Sequence, residues 1–166
     1  MLTTAEASSN LSRFDAVRFG YRAPLVNSDL NDMYKASRSA GFGKEVQRRI
    51  MLGTFVLSAG YFDAYFTKAQ QVRRILLNKS IEVFAQYEAI ISPTVPSTAF
   101  KIGEKSDDQV AMFLADIYTV FANLVGIPAI SIPMFTHSNG LPFGLQIMTN
   151  HFEETALLQL SDRLMN

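Results

Sequence analysis

Two charged residues set among apolar ones are the strongest chemical signal in this 166-residue sequence. Arg49 lies at helical spacing from Val46 and Gly53, which puts its guanidinium on a mostly apolar helix face with room beside the glycine. Asp116 is the one charged residue in the range Val110–Phe135, where a carboxylate is costly unless a donor or cation meets it. On the functional interpretation, both groups are buried and face one pocket; such a pair suits a zwitterion, and a free amino acid is the simplest such ligand.

Each of the two residues also has a purely structural explanation. Arg49 follows Glu45 by four residues, so it could form an ion pair along the helix and lay its stem on the apolar surface. Asp116 could be satisfied by a backbone N–H, by Arg48 or by Arg49. Spacing alone leaves both explanations open.

The remaining composition excludes several kinds of active site. The chain has no cysteine, which excludes disulfides, thiolate metal sites and a cysteine nucleophile. Its two histidines, His137 and His151, cannot make a metal site by themselves. Ser8 and Ser9 lack a nearby activating base or oxyanion loop, so we interpret them as helix-start serines. We therefore predict no thiol nucleophile and no cofactor-binding or metal-binding residue in this chain.

Charge and hydropathy define the class of protein. The 15 basic and 15 acidic residues cancel, so no overall field attracts nucleic acid or an anionic membrane. No apolar run reaches the roughly 18 residues of a membrane span, and no basic region followed by an apolar block opens the chain. With 48% hydrophobic residues, we expect a folded, soluble, cytoplasmic protein without membrane contact.

Periodicity predicts an alternation of helices and short strands around the two charged residues. Ser28 is the expected N-cap of the second helix, and Gly126 is expected to end the fifth. Helices are predicted over 4–14, 27–40, 44–59, 61–87, 110–125 and 153–164, strands over 89–92, 129–134 and 143–148, a loop over 94–108 and a turn over 138–142.

This order predicts an α/β fold of about three strands flanked by helices, with a sheet covered on both faces. The helix over 61–87 is expected to bury an apolar stripe. Its candidate buried residues are Ala64, Ala69, Val72, Ile75, Leu76 and Val83. The helices carry more apolar surface than three strands can cover, so we interpret 1–166 as a single partial domain.

Four segments carry a resemblance to a known family. They are SSNLSRFDAVRFGYR (Ser8–Arg22), SRSAGFGKEVQRRIMLGTFVLSAGYFDAYFTKAQQVR (Ser37–Arg73), SPTVPSTAF (Ser92–Phe100) and NLVGIPAISIP…NGLPFGLQIM (Asn123–Met148). Together they resemble the C-terminal part of amidase-signature proteins. The last segment is of a kind shared across that family, whereas GFGKEVQRRI is more particular to the A subunits of glutamyl-tRNA(Gln) amidotransferases.

The resemblance implies the C-terminal portion of an α/β/α sandwich with a mixed sheet, and a glutaminase as the intact subunit. In such a complex, ammonia from glutamine passes to the B subunit, where ATP-activated Glu-tRNA(Gln) becomes Gln-tRNA(Gln). By motif, Arg49 matches the residue that holds the α-carboxylate of glutamine, and Asp116 matches the one that holds its α-ammonium. The implied partners are the B and C subunits, with tRNA reached through the complex and ATP and Mg at the B subunit.

The resemblance also implies what the chain lacks. The family's catalytic Ser–cis-Ser–Lys triad lies in an N-terminal half that this sequence does not contain, so the chain alone is expected not to hydrolyse glutamine. Two alternatives stay open. One is a non-catalytic interaction module, stable alone or through self-association that covers its open sheet edge and apolar face. The other is a fragment of another amidase-signature hydrolase, whose neutral amide substrates would give less reason to keep both Arg49 and Asp116.

Overall fold

The computed structural model describes residues 1–24, 29–104 and 109–166. It divides into two compact units, Met1–Val72 and Arg73–Asn166, and the single partial domain stays a prediction. In these described ranges the elements are α1 (Leu2–Leu11), α2 (Leu30–Gly41), α3 (Lys44–Val56), a π-helical turn (Asp63–Thr67), α4 (Lys68–Phe84), β1 (Ala89–Pro93), α5 (Gln109–Ala115), α6 (Ile117–Val125), β2 (Ala129–Thr136), β3 (Pro142–Thr149) and α7 (Glu154–Met165).

The first unit is built around the crossing of α1 and α3. Gly53 is buried there, and a Cβ at this position would overlap the Thr4 carbonyl oxygen and the Ser8 side chain. Ser8 Oγ and Thr54 Oγ1 share a hydrogen bond of 2.9 Å across the same crossing. The prediction that Gly53 leaves room beside Arg49 was therefore wrong, because the space is filled by α1. Ser8 lies in the interior of α1 and ties it to α3, rather than standing at its start.

Side-chain caps define the ends of α2. The predicted cap, Ser28, lies outside the described residues; the N-cap of α2 is Asp29, whose carboxylate accepts a hydrogen bond from the Asp32 N–H at 2.8 Å. At the other end, Gln47 of α3 donates to the carbonyls of Ser39 and Phe42. These bonds satisfy backbone groups that a helix leaves unpaired at its ends.

The second unit has three layers. Its described strands form an antiparallel sheet in the order β1-β3-β2. On one face, Met148 packs with Ala122 and Val125 of α6 and with apolar residues of α4. On the other face, Ile132 and Ile147 pack against Leu157 of α7. The structure therefore confirms the α/β class and the prediction of a sheet covered on both faces.

Proline and glycine residues mark a helix end, a strand irregularity and a turn around this sheet. Gly126 ends α6 in the left-handed conformation, with φ of 82°. Pro133 lies in β2, at the edge of the described sheet, next to a register shift before Phe135. The turn after His137 has Gly140 at a φ of 83° and joins the antiparallel strands β2 and β3, so the turn predicted between the last two strands is confirmed.

Two helix predictions were wrong for the same reason. Apolar residues continue at helical spacing on both sides of a break in the helix, so their periodicity does not indicate where the break lies. The helix predicted over 110–125 is two helices, α5 and α6, separated at Asp116. The helix predicted over 61–87 contains the π-helical turn and ends at Phe84. The first break coincides with Asp116, whose backbone φ of −98° and ψ of 6° lies outside the helical region.

The apolar stripe of the longest helix is largely uncovered. Val72, Ile75 and Val83, which were predicted to be buried, are 49%, 59% and 38% exposed. Ala64 is also exposed, while Ala69 and Leu76 are half-buried. These positions were predicted from their spacing, but burial requires a second surface to pack on. Among the described residues, no helix is long and apolar enough to cross a membrane.

Candidate substrate-binding site

Arg49 lies in the middle of α3, where the helix is regular. Its Nε donates to Glu45 Oε1 at 2.9 Å, and Glu45 Oε2 also lies 3.9 Å from Arg48 Nη1. The side chain of Arg49 is 47% exposed, so the predicted burial of this guanidinium was wrong. The side chain is partly exposed because, on this face of α3, packing buries Gly53 and Val56 but does not cover Arg49.

The ion pair leaves the outer edge of this guanidinium free. Only Nε of Arg49 is bonded within the described part of the chain, so Nη1 and Nη2 keep donors for another acceptor. Two parallel N–H donors are the arrangement that binds a carboxylate in bidentate fashion. The structural and the ligand-binding interpretations of Arg49 are therefore compatible. Glu45 orients the guanidinium, and the free edge of the guanidinium can bind an anion.

Asp116 forms the junction between α5 and α6. Its backbone has φ of −98° and ψ of 6°, a sparsely populated region in which active-site residues are often found. Its N–H donates to the Phe113 carbonyl, and its carbonyl accepts from Val120 N at 3.0 Å and Thr119 Oγ1 at 3.1 Å. The backbone of Asp116 is therefore held on both sides.

The carboxylate of Asp116, by contrast, is exposed and makes no capping hydrogen bond to α6. The prediction of a buried carboxylate was wrong, because no surface covers this part of the described chain: the neighbouring Phe113 and Ile117 are 69% and 51% exposed as well. A carboxylate at an N-cap normally accepts from the first turn of its helix. Since this one does not, its oxygens can accept hydrogen bonds from a cationic ligand.

A row of polar side chains crosses the sheet in register. Ser92 of β1 and Ser131 of β2 both lie opposite Gln146 of β3. Gln146 is 3% exposed, and its Nε2 donates to the Tyr118 carbonyl of α6 at 3.2 Å. The hydroxyl groups of Ser131 and Thr94 share a bond of 2.6 Å. This polar row ties the sheet to the first turn of α6, directly after Asp116.

Gln146 was not predicted as a functional residue. The signal was present in the sequence as a single amide within the apolar strand Phe143–Met148. Its bond to Tyr118 spans 28 positions of sequence, a distance at which spacing gives no information. Arg49 belongs to the first unit and Asp116 to the second, so their pairing in one site stays a prediction.

Comparison with known proteins gives these residues a family context. The sequence model of the amidase family matches residues 1–158. The chain is similar to the A subunit of glutamyl-tRNA(Gln) amidotransferase from Acidobacterium capsulatum, with 56% identity over 160 residues that make up 96% of this chain and 33% of that protein. The corresponding protein of Prosthecochloris aestuarii is 55% identical over 166 residues, 100% of this chain and 35% of the relative.

A solved structure gives a consistent result. The crystal structure of the same amidotransferase component from Thermotoga maritima matches with a TM-score of 0.55 and 38% identity, covering 93% of this chain and 36% of that one. The chain thus spans about a third of the length of the relatives that it matches.

Proposed function

Since this chain belongs to the amidase family, we propose that it forms the part of a glutamyl-tRNA(Gln) amidotransferase A subunit that binds the head group of glutamine. The observation that carries the proposal is the likeness to curated A subunits along nearly the whole chain. In the intact protein, glutamine would be hydrolysed to glutamate and ammonia. The ammonia would then serve the conversion of Glu-tRNA(Gln) to Gln-tRNA(Gln) with the B and C subunits, while ATP and Mg would act at the B subunit.

The role of this chain would be to bind and orient the substrate. The free Nη edge of Arg49 would bind the α-carboxylate, and the carboxylate of Asp116, which makes no capping hydrogen bond to α6, would bind the α-ammonium. Fixing both charged groups leaves the side-chain amide of glutamine as the only end free to meet a nucleophile. We assign no nucleophile, base or oxyanion donor to this chain, so the isolated chain should not release ammonia.

The proposal is tested by complementation. The purified chain is assayed for ammonia release from L-glutamine, first alone and then mixed with the remaining N-terminal portion of a related A subunit, together with the B and C subunits. We expect no release above the buffer blank from the chain alone and glutamine-dependent amidation of Glu-tRNA(Gln) from the mixture. Turnover by the chain alone, or an assembled mixture without glutaminase activity, would contradict the proposal.

A second candidate, a non-catalytic interaction module, is favoured by the exposed apolar side chains of two helices. Phe113 of α5 is 69% exposed, and Ile117 and Val120 of α6 are 51% and 42% exposed. Faces of this kind usually meet another protein surface. Sedimentation separates the candidates: an oligomer that resists dilution favours the module, whereas association only with the complementary N-terminal portion favours the glutaminase role.

A further inference from the structure

The Asp116 junction is held from the sheet by a single side chain, that of Gln146, within the part of the chain that the structure describes. Its Nε2 donates to the Tyr118 carbonyl at 3.2 Å and lies 3.3 Å from Met148 Sδ, so both N–H groups of the amide have acceptors. We propose that Gln146 is a positioning residue for the glutamine site, which fixes the first turn of α6 and thereby the place of the Asp116 carboxylate. This inference rests on the proposed function.

The bonds around the junction couple the two residues. The Asp116 carbonyl accepts from Thr119 Oγ1 and Val120 N, which makes Asp116 and the first turn of α6 one hydrogen-bonded unit. Tyr118 lies inside that unit, and its carbonyl is the point that Gln146 holds. A displacement of this turn therefore displaces Asp116 as well.

The chemistry of the strand position supports a specific role for the amide. Burying a carboxamide costs free energy unless its donors are satisfied, whereas an apolar side chain would fill the same space without that cost. The neighbouring Ser92 Oγ is buried and has no hydrogen-bond partner within the described ranges. The sheet thus carries polar groups under the junction, and Gln146 is the one whose buried amide has its donors satisfied by a bond to α6.

The experiment compares Gln146→Met, which keeps the length and loses the donors, with a matched control on the same strand. Thr149 is 2% exposed and its Oγ1 donates to the Glu153 carbonyl at 3.1 Å, on the side of α7. Thr149→Val removes this bond without touching the junction. Amide hydrogen exchange of the 166-residue chain reports on the Val120 N–H, which donates to the Asp116 carbonyl at the junction. The reconstituted glutaminase gives KM and kcat for glutamine and for 4-carbamoylbutanoate, which lacks the α-ammonium.

In Gln146→Met we expect amide protection at the junction to fall about five- to tenfold, the loss of one net hydrogen bond. The KM for glutamine should rise by a similar factor with kcat little changed, while the KM for 4-carbamoylbutanoate stays constant. Thr149→Val should leave both readouts of the junction unchanged. If Gln146→Met does not fold, the exchange rate of the Gln146 side-chain amide protons in the wild-type chain tests the hydrogen bond directly. Rapid exchange of those protons would overturn the inference.

The outcomes separate this inference from the proposed function. A wild-type enzyme that prefers glutamine over 4-carbamoylbutanoate, combined with a Gln146→Met variant that keeps the same preference, overturns the inference alone. If amide protection in Gln146→Met falls equally in all helices and strands, Gln146 has only a general packing role, and the inference is overturned as well. A wild-type enzyme without any preference overturns the role of Asp116, and both proposals fail together.

Discussion

The two residues proposed to bind glutamine are supported in different ways. Arg49 lies within a regular helix, and its guanidinium is oriented by a neighbour one turn away, Glu45. Asp116 lies at a break between two helices, and its position depends on backbone bonds and on Gln146 from a distant strand. Arg49 is therefore positioned by a local contact, and Asp116 depends on a tertiary one.

This difference has a consequence for mutation. Replacing the side chain of Arg49 should change the chemistry of the site and leave its geometry intact, because α3 is defined by its own backbone and by its packing on α1. Around Asp116, changes on the sheet or at the ends of α6 should alter the geometry without touching a ligand. The predictions below test that contrast, beginning with the largest effect.

Arg49→Met should raise the KM for glutamine about 100-fold in the reconstituted enzyme, the equivalent of roughly 2.8 kcal/mol, because a bidentate charge-assisted contact is lost. Circular dichroism should show an unchanged helix content. Arg48→Met is the control, since Arg48 shares Glu45 but is not assigned to the ligand. Equal effects of the two substitutions would argue against a specific role for Arg49.

Gly53→Ala should lower the free energy of unfolding by about 2 kcal/mol, because the added Cβ meets the Thr4 carbonyl and the Ser8 side chain. The loss arises where α3, the helix that carries Arg49, packs on α1. Urea unfolding followed by circular dichroism measures the loss. Gly60→Ala serves as control, since no atom of residues 1–24, 29–104 or 109–166 lies within 4 Å of a Cβ built there. A neutral Gly53→Ala would mean that α1 and α3 do not cross as closely as described.

Gly126→Ala should cost about 1 kcal/mol at the far end of α6, since φ is 82° and, among the described residues, the nearest atom is His151 Cε1 at 3.8 Å from the added Cβ. The cost is therefore one of backbone conformation and not of packing. Gly126→Asn should recover part of the stability, because asparagine tolerates the left-handed conformation. The same urea titration measures both variants, and a larger loss in the asparagine variant would contradict this explanation.

Asp15 offers the smallest effect and a contrast with Asp116. Its carboxylate accepts hydrogen bonds from the N–H groups of Arg18 and Val17, both at 2.9 Å, and these lower its pKa below the ordinary value. The stabilisation of this loop is present above the ordinary value of about 3.9 and is lost as the pH falls through the lower pKa of the folded state. An NMR titration of Val17 and Arg18 should therefore show a midpoint below about 3.9 in the folded chain; a midpoint at or above that value would show that the bonds do not hold.

Local signals in the sequence predicted the sheet and the Arg49 support. The three strands are short apolar runs bounded by proline or glycine, and the pairing of Glu45 with Arg49 follows from a four-residue spacing. The break at Asp116 could not be predicted in this way, because apolar residues continue on both sides of it. Burial was also misjudged at Arg49 and Asp116, since exposure depends on which surfaces come to cover a residue. The bond from Gln146 to Tyr118 depends on the fold itself.

Substrate analogues distinguish the two proposed roles, in which one residue binds each charge of glutamine. The reconstituted wild-type enzyme, Arg49→Met and Asp116→Asn are compared by kcat/KM on glutamine, 4-carbamoylbutanoate and 4-aminobutanamide, which lacks the carboxylate. We expect Asp116→Asn to lose the preference for glutamine over 4-carbamoylbutanoate and to keep the preference over 4-aminobutanamide, and Arg49→Met to show the reverse. Variants that keep both preferences, or lose both to the same extent, would contradict these roles.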